Sequence, residues 1–364
     1  MRIKEVAQVL EDLAPLAHAE DFDNVGLLVG NPEDEVNGIL VTLDTLENVV
    51  DEAIEKELNL IVSFHPIVFK GLKRFTGANY VERVVMKAIA NNIAIYSIHT
   101  ALDNSPLGVN AKICEVLGIK NPRILIPKKG TLKKLTTYVP EKDANALKSV
   151  LFEAGAGSIG KYSHCSFSAE GLGSFKAEVG SNPTLGEVGK THYEKEVQVN
   201  VVFSFEKKHQ IIKTLLKNHP YEEVAYEIYA MDNANSHLGM GMVGTLEKEM
   251  NEDQFLLHVK QKMNVPVVRH SQFLNKKVKK VAVLGGSGAF AINAAKKAGA
   301  DVFLTADLKY HQFFEAENRI VLADIGHFES EQFTKDLLVD YLKKKIPNFA
   351  VALSESITNP IKYL

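Results

Sequence analysis

The sequence contains little cysteine. Its 364 residues include only two, Cys114 and Cys165, which lie far apart and belong to no paired motif. Disulfide scaffolds and thiolate zinc sites need several cysteines at defined spacings, so the sequence argues against both. This composition agrees with a reducing compartment, and we therefore expect a cytoplasmic protein.

Long apolar runs and a strong net charge are also missing. No apolar run approaches the roughly 20 residues that a membrane span needs. Residues 1–6 alternate charged and apolar side chains, which predicts an amphipathic helix instead of a signal peptide. The net charge of −3 gives no field that would attract nucleic acid or an anionic membrane. We therefore predict a soluble protein whose partners include neither.

Strand and helix patterns alternate in two separate parts of the chain. Residues 1 to about 126 show this alternation, and it returns from Val281 to Lys345. Strands that alternate with helices of this length predict parallel pairing and right-handed crossovers. With 46% apolar residues there is ample material for a core. We therefore predict an α/β core built from residues 1–129 and 233–364.

The stretch between these two parts has a different character. A turn-rich junction at Pro127–Gly130 leads into strands, helices and a glycine-rich segment in the order β-α-β-β-α-β. This order is typical of ferredoxin-like modules. Because it interrupts a single βα pattern, we interpret residues 130–232 as an inserted α+β domain.

Three short segments place metal-ligand residues just after apolar runs that predict buried strands. Ligands gather at the carboxyl ends of strands in open α/β sheets, so these residues are expected to lie together. Histidine with carboxylates is a donor set for zinc, iron, manganese or nickel. The sequence therefore predicts one metal site supplied by His65, by His99 and Asp103, and by His327 and Glu331.

Each of these residues also has a structural interpretation. His327 and Glu331 share one face of a helix at four-residue spacing, yet they also match a surface histidine beside a first-turn glutamate. Asp103 is either a ligand or part of a turn, and His99 either a ligand or a supporting histidine. His65 precedes a proline that keeps its backbone extended, which suits a ligand or a structural strand end.

Two further segments follow late strands. Asp307 and His311 repeat the four-residue spacing and are candidates for orienting ligands or moving protons; an exposed histidine after a helix-starting aspartate is the alternative. Gly286 and Gly288 formally match a dinucleotide fingerprint, and Ser287 lies between them. We favour a turn that accommodates phosphate at a helix N-terminus, with a plain tight turn as the alternative.

These segments, with Asp23–Gly30 and Gly180–Gly186, resemble the GTP cyclohydrolase 1 type 2 homologues, the NIF-three-like family of dinuclear-metal proteins. The resemblance covers both outer segments and the insertion. It implies a three-layer α/β core, up to two divalent metal ions per subunit and a ring-shaped homohexamer. It also implies that the insertion is similar to ferredoxin-like signalling and copper-tolerance trimers.

The resemblance also implies roles for single residues. His65, Asp103, His327 and Glu331 fall on the family's metal ligands, with Glu331 as the bridge between two ions. Many members have two consecutive histidines before the proline, whereas this chain has Phe64 and His65. Phenylalanine cannot bind a metal, so one ion loses a nitrogen ligand that His99 or water would have to replace.

Two functions follow as expectations. The first is a metal-dependent hydrolase of GTP or a phosphoester, in which His99 or His311 moves protons and the turn at Gly286, Ser287 and Gly288 holds phosphate. The second is a non-enzymatic metal-binding regulator or scaffold, with the insertion sensing a small molecule. A dinucleotide-binding oxidoreductase is a third, weaker alternative because the acidic residue expected about 20 positions after the glycines is not clearly placed: Asp301 comes too early and Asp307 fits only approximately.

Overall fold

The computed structural model describes residues 1–364. They form two compact units. The first unit, here called the core unit, joins Met1–Pro127 to His237–Leu364, and the second, the inserted unit, comprises Lys128–Ser236. No helix is both long and apolar enough to cross a membrane.

The strands run through both units. In chain order they are β1 (Gly26–Val29), β2 (Ile39–Thr42), β3 (Leu60–Ser63), β4 (Ala94–Ser97), β5 (Lys120–Lys128), β6 (Leu132–Pro140), β7 (Ser166–Lys176), β8 (Thr191–Ser204), β9 (Tyr226–Met231), β10 (Asn235–Asn251), β11 (Arg269–His270), β12 (Lys277–Ser287), β13 (Val302–Ala306), β14 (Val321–Asp324) and β15 (Val351–Leu353).

The α-helices are α1 (Ile3–Leu13), α2 (Glu47–Glu55), α3 (Tyr80–Ala90), α4 (His99–Asp103), α5 (Val109–Leu117), α6 (Ala144–Glu153), α7 (Lys208–Asn218), α8 (Glu252–Lys262), α9 (Ile292–Lys297), α10 (His327–Glu331) and α11 (Thr334–Lys345). Short 3-10 helices span Leu16–His18, Glu141–Asp143, Phe205–Lys207, Ala289–Ala291 and Tyr310–Ala316.

The core unit contains two sheets. The first has the order β1-β4-β3-β2-β15, in which β15, β2, β3 and β4 run parallel and β1 is antiparallel. The second has the order β11-β14-β13-β12-β10-β5, with β12, β13 and β14 parallel. Every residue of β2, β3 and β4 is buried, as expected of parallel strands covered on both faces.

Helices lie between the two sheets as well as outside them. The largest apolar cluster joins both sheets through α1, α5, α8 and α11, with Val62 and Leu304 among its buried members. Helices α2 and α3 cover the other face of the first sheet, and α9 covers that of the second. The mixed α/β class predicted from the sequence is confirmed. The arrangement has more layers than the three that the resemblance implied, because the late strands form a sheet of their own.

The inserted unit is a single four-stranded sheet with the order β7-β8-β6-β9 and antiparallel neighbours. Its elements follow one another as β6-α6-β7-β8-α7-β9. Alternate residues of β8, Val197, Val199 and Val201, lie in an apolar cluster with Leu147 of α6 and Ile211 of α7. The helices therefore cover one face of this sheet.

Candidate metal centre

The core unit brings together residues from three strand ends. His65 follows β3, His99 and Asp103 are the first and last residues of α4 directly after β4, and α10 after β14 begins at His327. The ligand nitrogen or oxygen atoms of His65, His327 and Glu331 lie within 4.8 Å of one another. These three residues, here called the ligand cluster, could hold a metal ion.

A buried carboxylate oxygen is the centre of the ligand cluster. Glu331 is only 3% exposed. Its Oε2 lies 3.2 Å from Nε2 of His65 and 3.3 Å from Nε2 of His327. Although both nitrogens are close, Oε2 forms no hydrogen bond of good geometry. A buried carboxylate oxygen is costly unless positive charge completes its surroundings. Protonated rings of His65 and His327 can supply that charge in the metal-free protein, and a metal ion bound to the same three groups could replace their protons.

A carboxylate supports each of the three histidine rings. Nδ1 of His65 lies 2.8 Å from Oδ1 of Asp44, and Nδ1 of His327 lies 2.7 Å from Oδ2 of Asp307. Nδ1 of His99 lies 2.8 Å from Oδ1 of Asp23. Such a carboxylate keeps a proton on Nδ1 and leaves Nε2 available, which is how metal-binding histidines are usually oriented.

Asp103 contributes a second orphaned oxygen. Its Oδ1 is buried and has no hydrogen-bond partner. Burial, and after it the charge of Glu331, raise the pKa of Asp103 well above its ordinary 3.8. The negative charge of Glu331 acts on Asp103, so a cation bound beside Glu331 would also favour the ionised form of Asp103.

The histidines of the ligand cluster hold protons strongly in the metal-free protein. Burial lowers the pKa of His65, but the carboxylates of Asp44 and Glu331 outweigh it and raise the pKa to about 10. Glu331 raises the pKa of His327 and burial lowers it; with a further increase from Asp307, the pKa is about 9. Burial raises the pKa of Glu331 itself, yet the two histidines hold it below its ordinary value.

Phe64 fills the place where a further nitrogen was expected. It is fully buried, with its ring centroid 4.8 Å from that of His65 and 5.4 Å from that of His99. The centroids of His65 and His99 are 5.2 Å apart. His65, His327 and Glu331 could therefore hold one ion, while Asp103 is not among the residues whose ligand atoms lie within 4.8 Å of one another. Phe64 packs against the rings of His65 and His99.

The turn after β12 lies against the cluster. Gly286 has a φ of +69°, and a Cβ there would come within 2.4 Å of Oε1 of Glu331. Its N–H donates to Oγ of Ser330 at 2.9 Å. A Cβ on Gly288 would meet Oγ1 of Thr305 at 2.0 Å, and Ser287 is exposed. The glycines thus allow close packing, and phosphate binding by this turn stays a prediction.

His311 and Asp307 have different environments. Asp307 contacts His327, as described above, and so has the orienting position that its spacing suggested. His311 is exposed, and its ring contacts those of Tyr310 and Phe314. The chain forms a 3-10 helix from Tyr310, and Asp307 before it has a left-handed φ of +57°.

Two supporting residues escaped the sequence analysis. Asp44 comes just after β2, so the same strand-end argument that found His65 could have found it. Asp23 lies in the segment Asp23–Gly30, but no strand precedes it, and only its pairing with His99 shows its role.

Comparisons with known proteins agree with this geometry. A profile of the Duf34/NIF3 (NGG1p interacting factor 3) family matches residues 1–360. The chain is 40% identical over 367 aligned positions to a Bacillus subtilis protein named "GTP cyclohydrolase 1 type 2 homolog", covering 99% of this chain and 98% of that protein.

Solved structures give the same result. A Bacillus cereus protein described as related to NIF3 is 36% identical, with a TM-score of 0.87 over 100% of this chain and 99% of that one. A Staphylococcus aureus protein is 30% identical with a TM-score of 0.79, again over 100% and 99%. These findings confirm the resemblance seen in the sequence: the chain belongs to the Duf34/NIF3 family.

Proposed function

We propose that this protein binds a divalent metal ion at the ligand cluster and uses it to hydrolyse a small molecule. The observation that carries the proposal is the buried, orphaned Oε2 of Glu331 between two histidine nitrogens whose rings are held by Asp44 and Asp307. His65, His327 and Glu331 would hold the ion, and Asp103 would supply a further oxygen. Bound there, the ion supplies Lewis-acid chemistry for activating water.

His99 is the best placed residue for moving a proton. Asp23 holds its Nδ1, and Thr100 N–H donates to the other oxygen of Asp23 at 3.0 Å. This pairing leaves Nε2 of His99 to accept a proton from water beside the cluster, which is the task of a general base. The exposed His311 has no comparable support.

The substrate class rests on family membership and on metal chemistry. Relatives carry the name GTP cyclohydrolase 1 type 2 homolog. Opening of the guanine imidazole ring with release of formate, and hydrolysis of a phosphoester, both need an activated water. We propose GTP or a phosphoester as substrate, and a homohexamer as the assembly.

The test is turnover by the full chain after loading with Zn²⁺, Mn²⁺ or Fe²⁺. Formate release from GTP and phosphate release from p-nitrophenyl phosphate would be measured. Glu331→Gln should lose both the ion and the activity, whereas His99→Gln should keep the ion and lose about 10²–10⁴-fold in rate. Glu315→Gln, which changes an exposed glutamate, serves as the control and should behave like the wild type.

A non-enzymatic metal-binding regulator is the second candidate. Phe64 supports this candidate because a phenylalanine stands where a nitrogen ligand was expected. The inserted unit supports it because it contains a cavity of about 660 Å³ that could bind a small molecule. Phe175, Tyr221 and Glu196 are among the residues lining that cavity, and the hydroxyl of Tyr221 donates to Glu196 at 2.7 Å. We propose that the inserted unit is a ferredoxin-like module that binds a small molecule there; its element and strand order support this.

The same experiment separates the two candidates. An ion bound at the cluster without turnover of either substrate would refute the hydrolase. Dissociation of the oligomer on chelation, followed by size-exclusion chromatography with light scattering, would then support the regulator.

A further inference from the structure

The last residues of the chain form an extended segment that is tied down by polar contacts. Residues 354–364, here called the C-terminal segment, contain neither helix nor strand. At its start, Ser354 Oγ donates to Glu52 at 2.7 Å, and the N–H groups of Glu355 and Ser356 donate to the same carboxylate. These bonds anchor the segment to α2, beside the first sheet.

Thr358 extends this attachment to the metal centre. It is 6% exposed, and its hydroxyl donates to Oδ2 of Asp44 at 2.7 Å. The other oxygen of Asp44, Oδ1, lies 2.8 Å from Nδ1 of His65. Because both oxygens of Asp44 are engaged, the carboxylate cannot rotate without breaking one of these contacts.

The next residue holds the other side of the cluster. Asn359 Nδ2 donates to Oε1 of Glu329 at 3.0 Å. Glu329 is buried on α10, the one-turn helix that also carries His327 and Glu331. Two adjacent residues of the C-terminal segment therefore contact both sides of the ligand cluster. Thr358 bonds to Asp44, which follows a strand of the first sheet, and Asn359 bonds to α10, which follows a strand of the second sheet.

We propose that Thr358 is a positioning residue for His65, acting through Asp44; the inference rests on the metal binding proposed above. By fixing one carboxylate oxygen, the Thr358 hydroxyl fixes the other as the acceptor for Nδ1–H, and so fixes the direction in which Nε2 points. Loss of partners that orient a metal-binding histidine usually weakens metal affinity by about 10–100-fold.

The experiment compares three variants of the full chain. Thr358→Val keeps the shape and removes the hydroxyl, Thr358→Ser restores it, and Ser356→Ala changes a neighbour whose hydroxyl bonds to Asn48 instead. Mn²⁺ affinity would be measured by calorimetry, and the visible spectrum of bound Co²⁺ would report on ligand geometry. Thermal unfolding of the metal-free variants shows whether each one folds.

We expect Thr358→Val to weaken Mn²⁺ binding by about 10–100-fold and to change the Co²⁺ spectrum. Thr358→Ser and Ser356→Ala should match the wild type. In an Asp44→Ala background, Thr358→Val should have no further effect, since the route through Asp44 is already broken.

Three results would overturn the inference. Unchanged affinity and spectrum in Thr358→Val would do so, and so would an equal loss in the presence and absence of Asp44. If the wild-type chain binds no ion, the proposed function fails and the inference fails with it, which distinguishes that outcome from the first two.

Discussion

Metal binding should release protons, and the ligand cluster allows the number to be worked out. In the metal-free protein the pKa of His65 is about 10 and that of His327 is about 9. At neutral pH both rings are therefore imidazolium ions, each with one proton on Nδ1 and one on the Nε2 that faces Glu331. An ion that binds to the two Nε2 atoms must displace both of their protons.

The pH dependence of affinity follows directly. Below about pH 9 the two histidines together release two protons for each ion bound, so their contribution raises the apparent association constant about 100-fold per pH unit. Between about pH 9 and 10 the histidine contribution falls to one proton, and above that it vanishes. Asp103, whose pKa is also raised, adds to the proton release wherever it is still protonated. With both histidines at the ordinary pKa of 6.5, affinity would already be level above about pH 7.5.

Folding stability of the metal-free protein should respond to pH in the opposite direction. A histidine whose pKa is raised on folding stabilises the protein fully below its unfolded value of 6.5, and this contribution is lost as the pH rises through the folded values of about 9 and 10. The metal-free protein should therefore become less stable as its affinity for metal increases.

Calorimetry with Mn²⁺ in buffers of different ionisation enthalpy measures the proton release directly. We expect at least two protons per ion at pH 7.5, and about one fewer in either His65→Gln or His327→Gln, provided that the variant still binds the ion. Release of no protons by the wild type at pH 7.5 would refute the reasoning, since it would mean that the carboxylates do not hold the imidazolium forms.

Two further predictions concern the surroundings of Glu331. Gly286→Ala should destabilise the protein by more than the roughly 1–2 kcal/mol of a left-handed alanine and should weaken metal binding, because its Cβ would overlap Glu331. The control is Gly299→Ala, which has the same backbone conformation with a φ of +70°, and whose Cβ would make only an ordinary contact, with Lys280 Nζ at 3.9 Å. Denaturant unfolding and Mn²⁺ titration compare the two, and equal effects would contradict the argument. Phe64→His should raise the number of ions bound per subunit, measured by elemental analysis. It should also lower the free energy of unfolding of the metal-free protein by about 1–3 kcal/mol, since a polar ring replaces a buried apolar one. An unchanged number of ions would show that Phe64 does not limit the number of metal ions at this site.

The strand ends could be predicted from the sequence because burial of parallel strands leaves a strong local signal. The apolar runs before His65, His99 and His327 all proved to be strands, and parallel pairing brought their ends to neighbouring positions. The predicted ligands therefore required only a local pattern and one topological rule.

The remaining parts of the site depend on contacts between distant positions. Gly286 lies against Glu331 because the fold brings α10 next to the end of β12. The sequence pattern of neither segment indicates this contact. Thr358 lies in a stretch without helix or strand patterning, so its bond to Asp44 could not be inferred. The one-turn helix from His99 to Asp103 was also missed, because so short a helix shows no repeat.

The strand β15 has a consequence for synthesis of the chain. Residues Val351–Leu353 pair in parallel with Ile39–Val41 and form the edge of the first sheet. Until β15 has been synthesised, β2 presents an unpaired row of backbone N–H and C=O groups. Exposed strand edges are templates for association with other chains. A nascent chain that contains β2 but not yet β15 therefore exposes the edge of a fully buried strand, which the short strand β15 covers in the folded protein.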